Sequence, residues 1–219
     1  MNAVPILLTI LRDPAQAPSL TEHDWDLLVR QAVSARLAAT VRSLLDERGL
    51  LAALPPQVQA HFEWARVHAE RHRKAVHWEV RQIRNALANL DMPLILLKGA
   101  AYTAAGLPAA DGRVFSDIVV PKARLGQVEA ALMLHGWHPV KQDAYDQHYY
   151  RTWMHELPPM QHVKRSSSID VHHAILPLTA RARPDSRLLR VAAGAARADP
   201  ALQVLAPADM VLHSATHLF

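Results

Sequence analysis

The residues that could do chemistry lie in three short stretches. Leu94-Ile95-Leu96-Leu97 is a continuous apolar run of the kind found in a buried strand. Lys98-Gly99 follows it, ahead of a small-residue segment over 100–105 that suits a helix. A glycine where a strand turns into a helix lets backbone N–H groups approach a phosphate closely, and the helix N-terminus favours the anion. After a loop over 106–112, residues 113–120 read as a second strand rich in valine and isoleucine, and this strand carries Asp117. A carboxylate on a neighbouring strand can hold a divalent metal that bridges to the phosphate. The third stretch, Ser168-Ile169-Asp170-Val171-His172, puts another carboxylate on an extended segment. His172 stands two residues later and therefore on the same face.

Other suggestive patterns are weaker. His68 and His72 have i, i+4 spacing, but alanine follows the first histidine where the zinc-protease pattern needs glutamate. His213 and His217 repeat the spacing without a third ligand, so they read as packing or partly exposed residues. Arg66, Arg71, Arg73, Lys74, Arg81 and Arg84 form a basic stripe without interleaved aromatics, which reads as the wet face of a long helix. Direct nucleic-acid binding is not expected. P-loop, Rossmann and nucleophile-elbow patterns are missing from the sequence.

The elements that must position these residues follow from periodicity and punctuation. Ser19-Leu20-Thr21-Glu22 has capping-box spacing, and a helical pattern runs from there to about Arg48, where Gly49 closes it. Pro55-Pro56 opens one long amphipathic helix, or two nearly collinear ones, carrying Val58, Phe62, Ala65, Ala69, Val76, Val80, Ile83 and Leu87 and ending near Leu90. Pro121 begins a further helix to about His135, and Gly136 stops it. Segments 137–141, 149–157 and 167–172 read as extended, and helices are expected near 184–197 and 207–219. The order strand–helix–strand–helix favours a sheet with helices packed on it. The expected fold class is therefore α+β, a small mixed β-sheet core with helices packed on it, preceded by a helical N-terminal region. The expected divisions are 1–91, a helical region; 92–180, the α/β core; and 181–219, C-terminal helices. The last helix breaks off on Leu218-Phe219 without a capping signal, so truncation of the C-terminal part is an expectation.

Composition narrows the function classes. A chain of 219 residues, half of them hydrophobic and 20% charged, can build its own core and is not a disordered chain. The absence of cysteine removes disulfides, thiolate metal sites and a cysteine nucleophile. The early apolar stretch over 3–11 is too short to span a bilayer and lacks the basic lead-in of a signal peptide, so a soluble, cytoplasmic protein with no membrane partner is expected. The net charge of +4, carried mainly by arginine, is compatible with an anionic substrate.

The blocks Leu97-Lys98-Gly99-Ala100 and Arg113-x-x-Ser116-Asp117-Ile118, followed by Asp170-Val171-His172, together resemble the polymerase-β-like nucleotidyltransferase superfamily. They are most similar to an uncharacterised bacterial nucleotidyltransferase family, and the resemblance covers most of the chain. It implies transfer of a nucleoside monophosphate from a nucleoside triphosphate to an acceptor hydroxyl on a small molecule, protein or RNA, with Mg²⁺ as cofactor. It implies that Asp117 and Asp170 are catalytic and metal-binding, and that Lys98, Gly99, Arg113 and Ser116 surround the phosphates. Members of the superfamily carry a second carboxylate two residues after the first, where alternation places it on the same face. Val119 stands at that position here, either as a replacement or because two residues have been removed. Asp111 precedes the strand and is not expected to substitute. The departure keeps a second possibility open, a catalytically degenerate member that binds a nucleotide or a partner protein without turnover.

Overall fold

A computed structural model describes residues 4–107, 110, 116–197 and 199–216. They build a helix-rich α+β structure in which two small sheets carry packed helices, in line with the sequence expectation. The chain divides into two compact units within one long helix, between Lys74 and Ala75. No helix among the described residues is long and apolar enough to cross a membrane.

The first unit is helical. Helix α1 (Ile6–Arg12), α2 (Glu22–Ser34), α3 (Ala38–Glu47) and the beginning of α4 (Pro56–Ala86) bury Ile10, Leu28, Val41, Leu45 and Phe62 in a common core. Each such side chain contributes roughly 1.5–3 kcal/mol on burial. Thr21, rather than Ser19, caps α2. Thr21 and Asp24 form the reciprocal capping box, while the Ser19 hydroxyl donates to the Gln16 carbonyl and closes the preceding 3₁₀ turn. The sequence pattern reads as helix through residues 35–37, yet the chain breaks there. Arg36 takes a left-handed φ of 58° and the Leu37 N–H bonds back to the Ala32 carbonyl. This is the closure a glycine usually provides, so no sequence signal marks it.

The second unit holds the sheets. In the larger one, β1 (Ile95–Leu97) lies between β2 (Asp117–Val119) and β8 (Gln203–Val204), antiparallel to the first and parallel to the second. The full order is β6-β2-β1-β8-β7, with β6 Val171–His172 and β7 Gly194–Ala195. All three residues of β1 are buried, which explains its unbroken apolar sequence. Helix α5 (Lys98–Ala105) follows β1 directly, packs against β1, β2 and β8, and meets α9 (Pro207–Thr216). The smaller sheet is an antiparallel meander of β3 (Trp137–Pro139), β4 (Met160–His162) and β5 (Ser168–Ile169). Helix α6 (Leu125–Leu134) leads into β3 through Gly136, whose φ of 94° excludes most side chains. A Cβ there would also stand 3.0 Å from the His162 ring.

Two segments depart from the sequence expectation. Residues 144–153 form helix α7, not an extended segment. Asp143 caps it, Tyr145 stacks on Tyr149, and Arg151 makes a forked ion pair with Glu129, so local i, i+4 contacts and a cap override the β propensity of a tyrosine-rich run. The run 168–172 does not stay in one sheet. Ser168–Ile169 pairs in the small sheet and Val171–His172 in the large one, and Asp170 is the residue at the crossing. The final helices, α8 (Ser186–Val191) and α9, occur where the sequence expects them, although α8 is shorter.

Candidate metal and phosphate site

The site is assembled where β1 ends, β2 begins and the two sheets exchange a strand. Leu97 pairs with Asp117 across the antiparallel β1–β2 ladder, so Asp117 stands beside the elbow from which α5 starts. On its other side β2 runs parallel to β6, with Ile118 opposite Val171 and Val119 opposite His172. The Asp170 carbonyl accepts the Ile118 N–H at 3.0 Å, which extends that register by one step and sets Asp170 alongside Asp117. Paired and alternate residues share a face, so Asp117, Asp170, Val119 and His172 project together.

The elbow differs from the expected glycine turn. Lys98 itself takes the left-handed backbone, at φ 48°, and Gly99 lies buried in the first turn of α5 with its carbonyl accepting the Thr103 hydroxyl. A non-glycine residue in that region costs about 1–2 kcal/mol, which the packed elbow must hold in place. The consequence is positional: the Lys98 ammonium lies 2.9 Å from Asp117 Oδ2 and 3.4 Å from His172 Nε2.

Asp117 is fully buried, and neither carboxylate oxygen receives a well-aligned hydrogen bond among the described residues. Burial pushes its carboxyl up to about 6; the Lys98 charge opposes the shift and the Asp170 charge adds to it. Asp170 is also raised, by burial against the opposing charge of Lys98. One ligand atom from each of Asp117, Asp170 and His172 lies within 4.8 Å of the others. A buried carboxylate short of donors, with a second carboxylate and an imidazole at ligand spacing, is a set that fits a divalent cation. Lys98 supplies the neutralising charge in the metal-free chain.

Glu156 is a member of this face that sequence reasoning missed. It joins β6 by a single antiparallel bridge to His172, and its Oε2 lies 3.3 Å from His172 Nε2. Burial is the first cause of its rise to about 7, and the charges of Asp170 and Asp117 add to it while Lys98 opposes. Nothing in the run His155-Glu156-Leu157-Pro158 marks it beforehand, because the link is a tertiary pairing with a strand sixteen residues away. Of the other residues singled out, Ser116 is buried directly before β2, and Asp111, Arg113 and His217 lie outside the described residues. The structure thus brings together Lys98, Asp117 and Asp170, with Gly99 and Ser116 as their neighbours in the chain.

Two residues of the basic stripe of α4 make structural ion pairs. Arg66 pairs with Glu63 and Glu70, and Arg84 with Asp199. A second buried cluster is also structural. Glu79 accepts two hydrogen bonds from Arg165 and one from Ser167, and the Arg165 guanidinium lies between the Trp78 and Trp137 rings at 5.2 and 4.8 Å.

The sequence model of a family described as an uncharacterised nucleotidyltransferase matches residues 21–219. No curated protein and no solved structure matches the chain.

Proposed function

The chain belongs to this uncharacterised nucleotidyltransferase family, and from that membership we propose that it transfers a nucleoside monophosphate from a nucleoside triphosphate to an acceptor hydroxyl. The observation that carries the proposal is the convergence of Asp117 and Asp170 on one buried face beside Lys98. Asp117 and Asp170 would hold Mg²⁺ through their carboxylate oxygens, with His172 beside them. Bound there, the cation would polarise the triphosphate and stabilise the charge of the departing pyrophosphate. Lys98, released from neutralising Asp117, contacts phosphate. Gly99 and Ser116 shape the elbow beside it, and Arg113 is a further phosphate contact.

In the transfer step the acceptor oxygen attacks the α-phosphorus, the bond to the β-phosphate oxygen breaks, and pyrophosphate leaves. Asp170, at the more open edge of the face, takes the acceptor proton. Its raised pKa suits it to that task. The acceptor is a small molecule, protein or RNA, and the transfer core is built on 92–180, with β7 and β8 from 181–219 completing its larger sheet. A cytoplasmic location accords with a nucleoside triphosphate substrate.

One observation favours a second reading. Val119 is buried and apolar where a metal-ligating carboxylate is expected, and it faces His172. A chain short of that ligand could bind nucleotide, or a partner protein, without turnover. The test is Mg²⁺-dependent pyrophosphate release from each nucleoside triphosphate, comparing the unmodified chain with Asp117→Asn and Asp170→Asn. Release that both variants abolish supports transfer. Nucleotide binding without release supports the degenerate reading, and release insensitive to both variants overturns the site.

A further inference from the structure

His172 has a neighbour on each side of its strand. Val119 pairs with it from β2, and Glu156 pairs with it from the bridge on its other edge. Residues paired across adjacent strands point to the same face. The acid absent on the Val119 flank is therefore present on the Glu156 flank. His155 adjoins Glu156, and its ring centroid lies 5.2 Å from that of His172. One ligand atom from each of His155, Glu156 and His172 lies within 4.8 Å of the other two. Both histidines are buried, and the Glu156 side chain is only 13% exposed.

We propose that His155, Glu156 and His172 form a second metal-ligand set that takes a divalent first-row transition cation of the Zn²⁺ class. Two imidazoles and one carboxylate are the wrong donors for Mg²⁺, which keeps oxygen ligands and its waters. They suit a borderline cation, and three protein ligands leave a coordination position open. The chain has no cysteine, so nitrogen and carboxylate oxygen are the donors available for such an ion. His172 is common to this set and to the one containing Asp117 and Asp170. The Lys98 ammonium, 3.4 Å from His172 Nε2, is the cation with which a metal competes at the shared end. The proposal extends the metal-site reading of the carboxylate face to its nitrogen-rich edge, and its test needs no nucleotide.

The experiment is calorimetric titration of the metal-stripped full chain with Zn²⁺, and separately with Mg²⁺, backed by the visible absorption of bound Co²⁺. One equivalent of Zn²⁺ should bind at least about 100-fold more tightly than Mg²⁺. His155→Ala and Glu156→Gln should each weaken Zn²⁺ by about tenfold or more, and His155→Ala should alter the Co²⁺ spectrum. Glu156→Gln, which keeps size and removes only charge, carries the test if His155→Ala fails to fold. Asp117→Asn and His68→Ala, the latter at an exposed position of α4, should leave tight Zn²⁺ binding in place. Zn²⁺ affinity unchanged by both His155→Ala and Glu156→Gln overturns the proposal. So does loss of the tight site in His68→Ala or Asp117→Asn. Adding nucleoside triphosphate with Mg²⁺ to the same proteins separates the two claims. Intact Zn²⁺ binding without Mg²⁺-dependent nucleotide binding overturns the proposed function alone, and the converse overturns this assignment alone.

Discussion

Replacing Asp117 by asparagine should make the metal-free protein more stable at pH 8 while removing its response to Mg²⁺. Asp117 is buried, and its carboxyl is raised from 3.8 to about 6, so ionising it in the folded chain is unfavourable even with Lys98 2.9 Å away. Each tenfold change in proton affinity is worth about 1.4 kcal/mol, so the ionised carboxylate costs the folded state about 3 kcal/mol. A raised folded-state value means that the stability is fully present below pH 3.8 and is lost as the pH rises through 6. Asparagine keeps the shape and has no charge to lose. The variant and the wild type should therefore be of similar stability near pH 4. At pH 8 the variant should be ahead by about 3 kcal/mol, or roughly 6–12 °C in Tm for a chain of this size. Thermal unfolding across pH 4–8 in chelator measures this. Adding Mg²⁺ at pH 8 should stabilise the wild type and not the variant, and so narrow the gap. A variant less stable than wild type at pH 8, or a pH-independent difference, would refute the claim that Asp117 is a destabilising buried charge held for a ligand.

Lys98→Met removes the charge that opposes the raised values of Asp117, Asp170 and Glu156, so the metal-free chain should lose stability at pH 8 and not at pH 4. Nucleotide affinity should fall by about 10–100-fold, the range for one charge-assisted hydrogen bond. Val119→Asp places a carboxylate opposite His172 on the same face as Asp117. Isothermal titration should find Mg²⁺ bound at least about tenfold more tightly, while the metal-free variant melts lower because it buries another charge. Glu79→Ala strips three hydrogen bonds from a cluster whose Arg165 side chain is 24% exposed, and urea unfolding should register a loss of about 2–3 kcal/mol, with nucleotide affinity unchanged.

Much of this site is legible in the sequence because its main signals are local. The apolar run before Lys98 reads as a buried strand, and the β1 pattern bears that out. Asp170 and His172 fall on one face because alternation is a property of the backbone, and their ligand atoms do converge with Asp117. The left-handed residue at the elbow carries no sequence signal, since glycine is the default for that conformation and the fold instead imposes it on Lys98. Helix α7 is hidden behind a tyrosine-rich composition, although Asp143 is a cap in plain view. Glu156 is the instructive omission. It reaches the site through one bridge to His172, and no periodicity encodes a pairing of that kind.

The central claim is that Asp117 and Asp170 form a cation-dependent nucleotide site, and calorimetric binding of a non-hydrolysable nucleoside triphosphate with and without Mg²⁺ tests it most directly. The unmodified chain should bind the nucleotide at least about tenfold more tightly with Mg²⁺, and Asp117→Asn and Asp170→Asn should each erase that difference. Equal affinity with and without Mg²⁺ in the unmodified chain, or a Mg²⁺ effect that survives both substitutions, would contradict it.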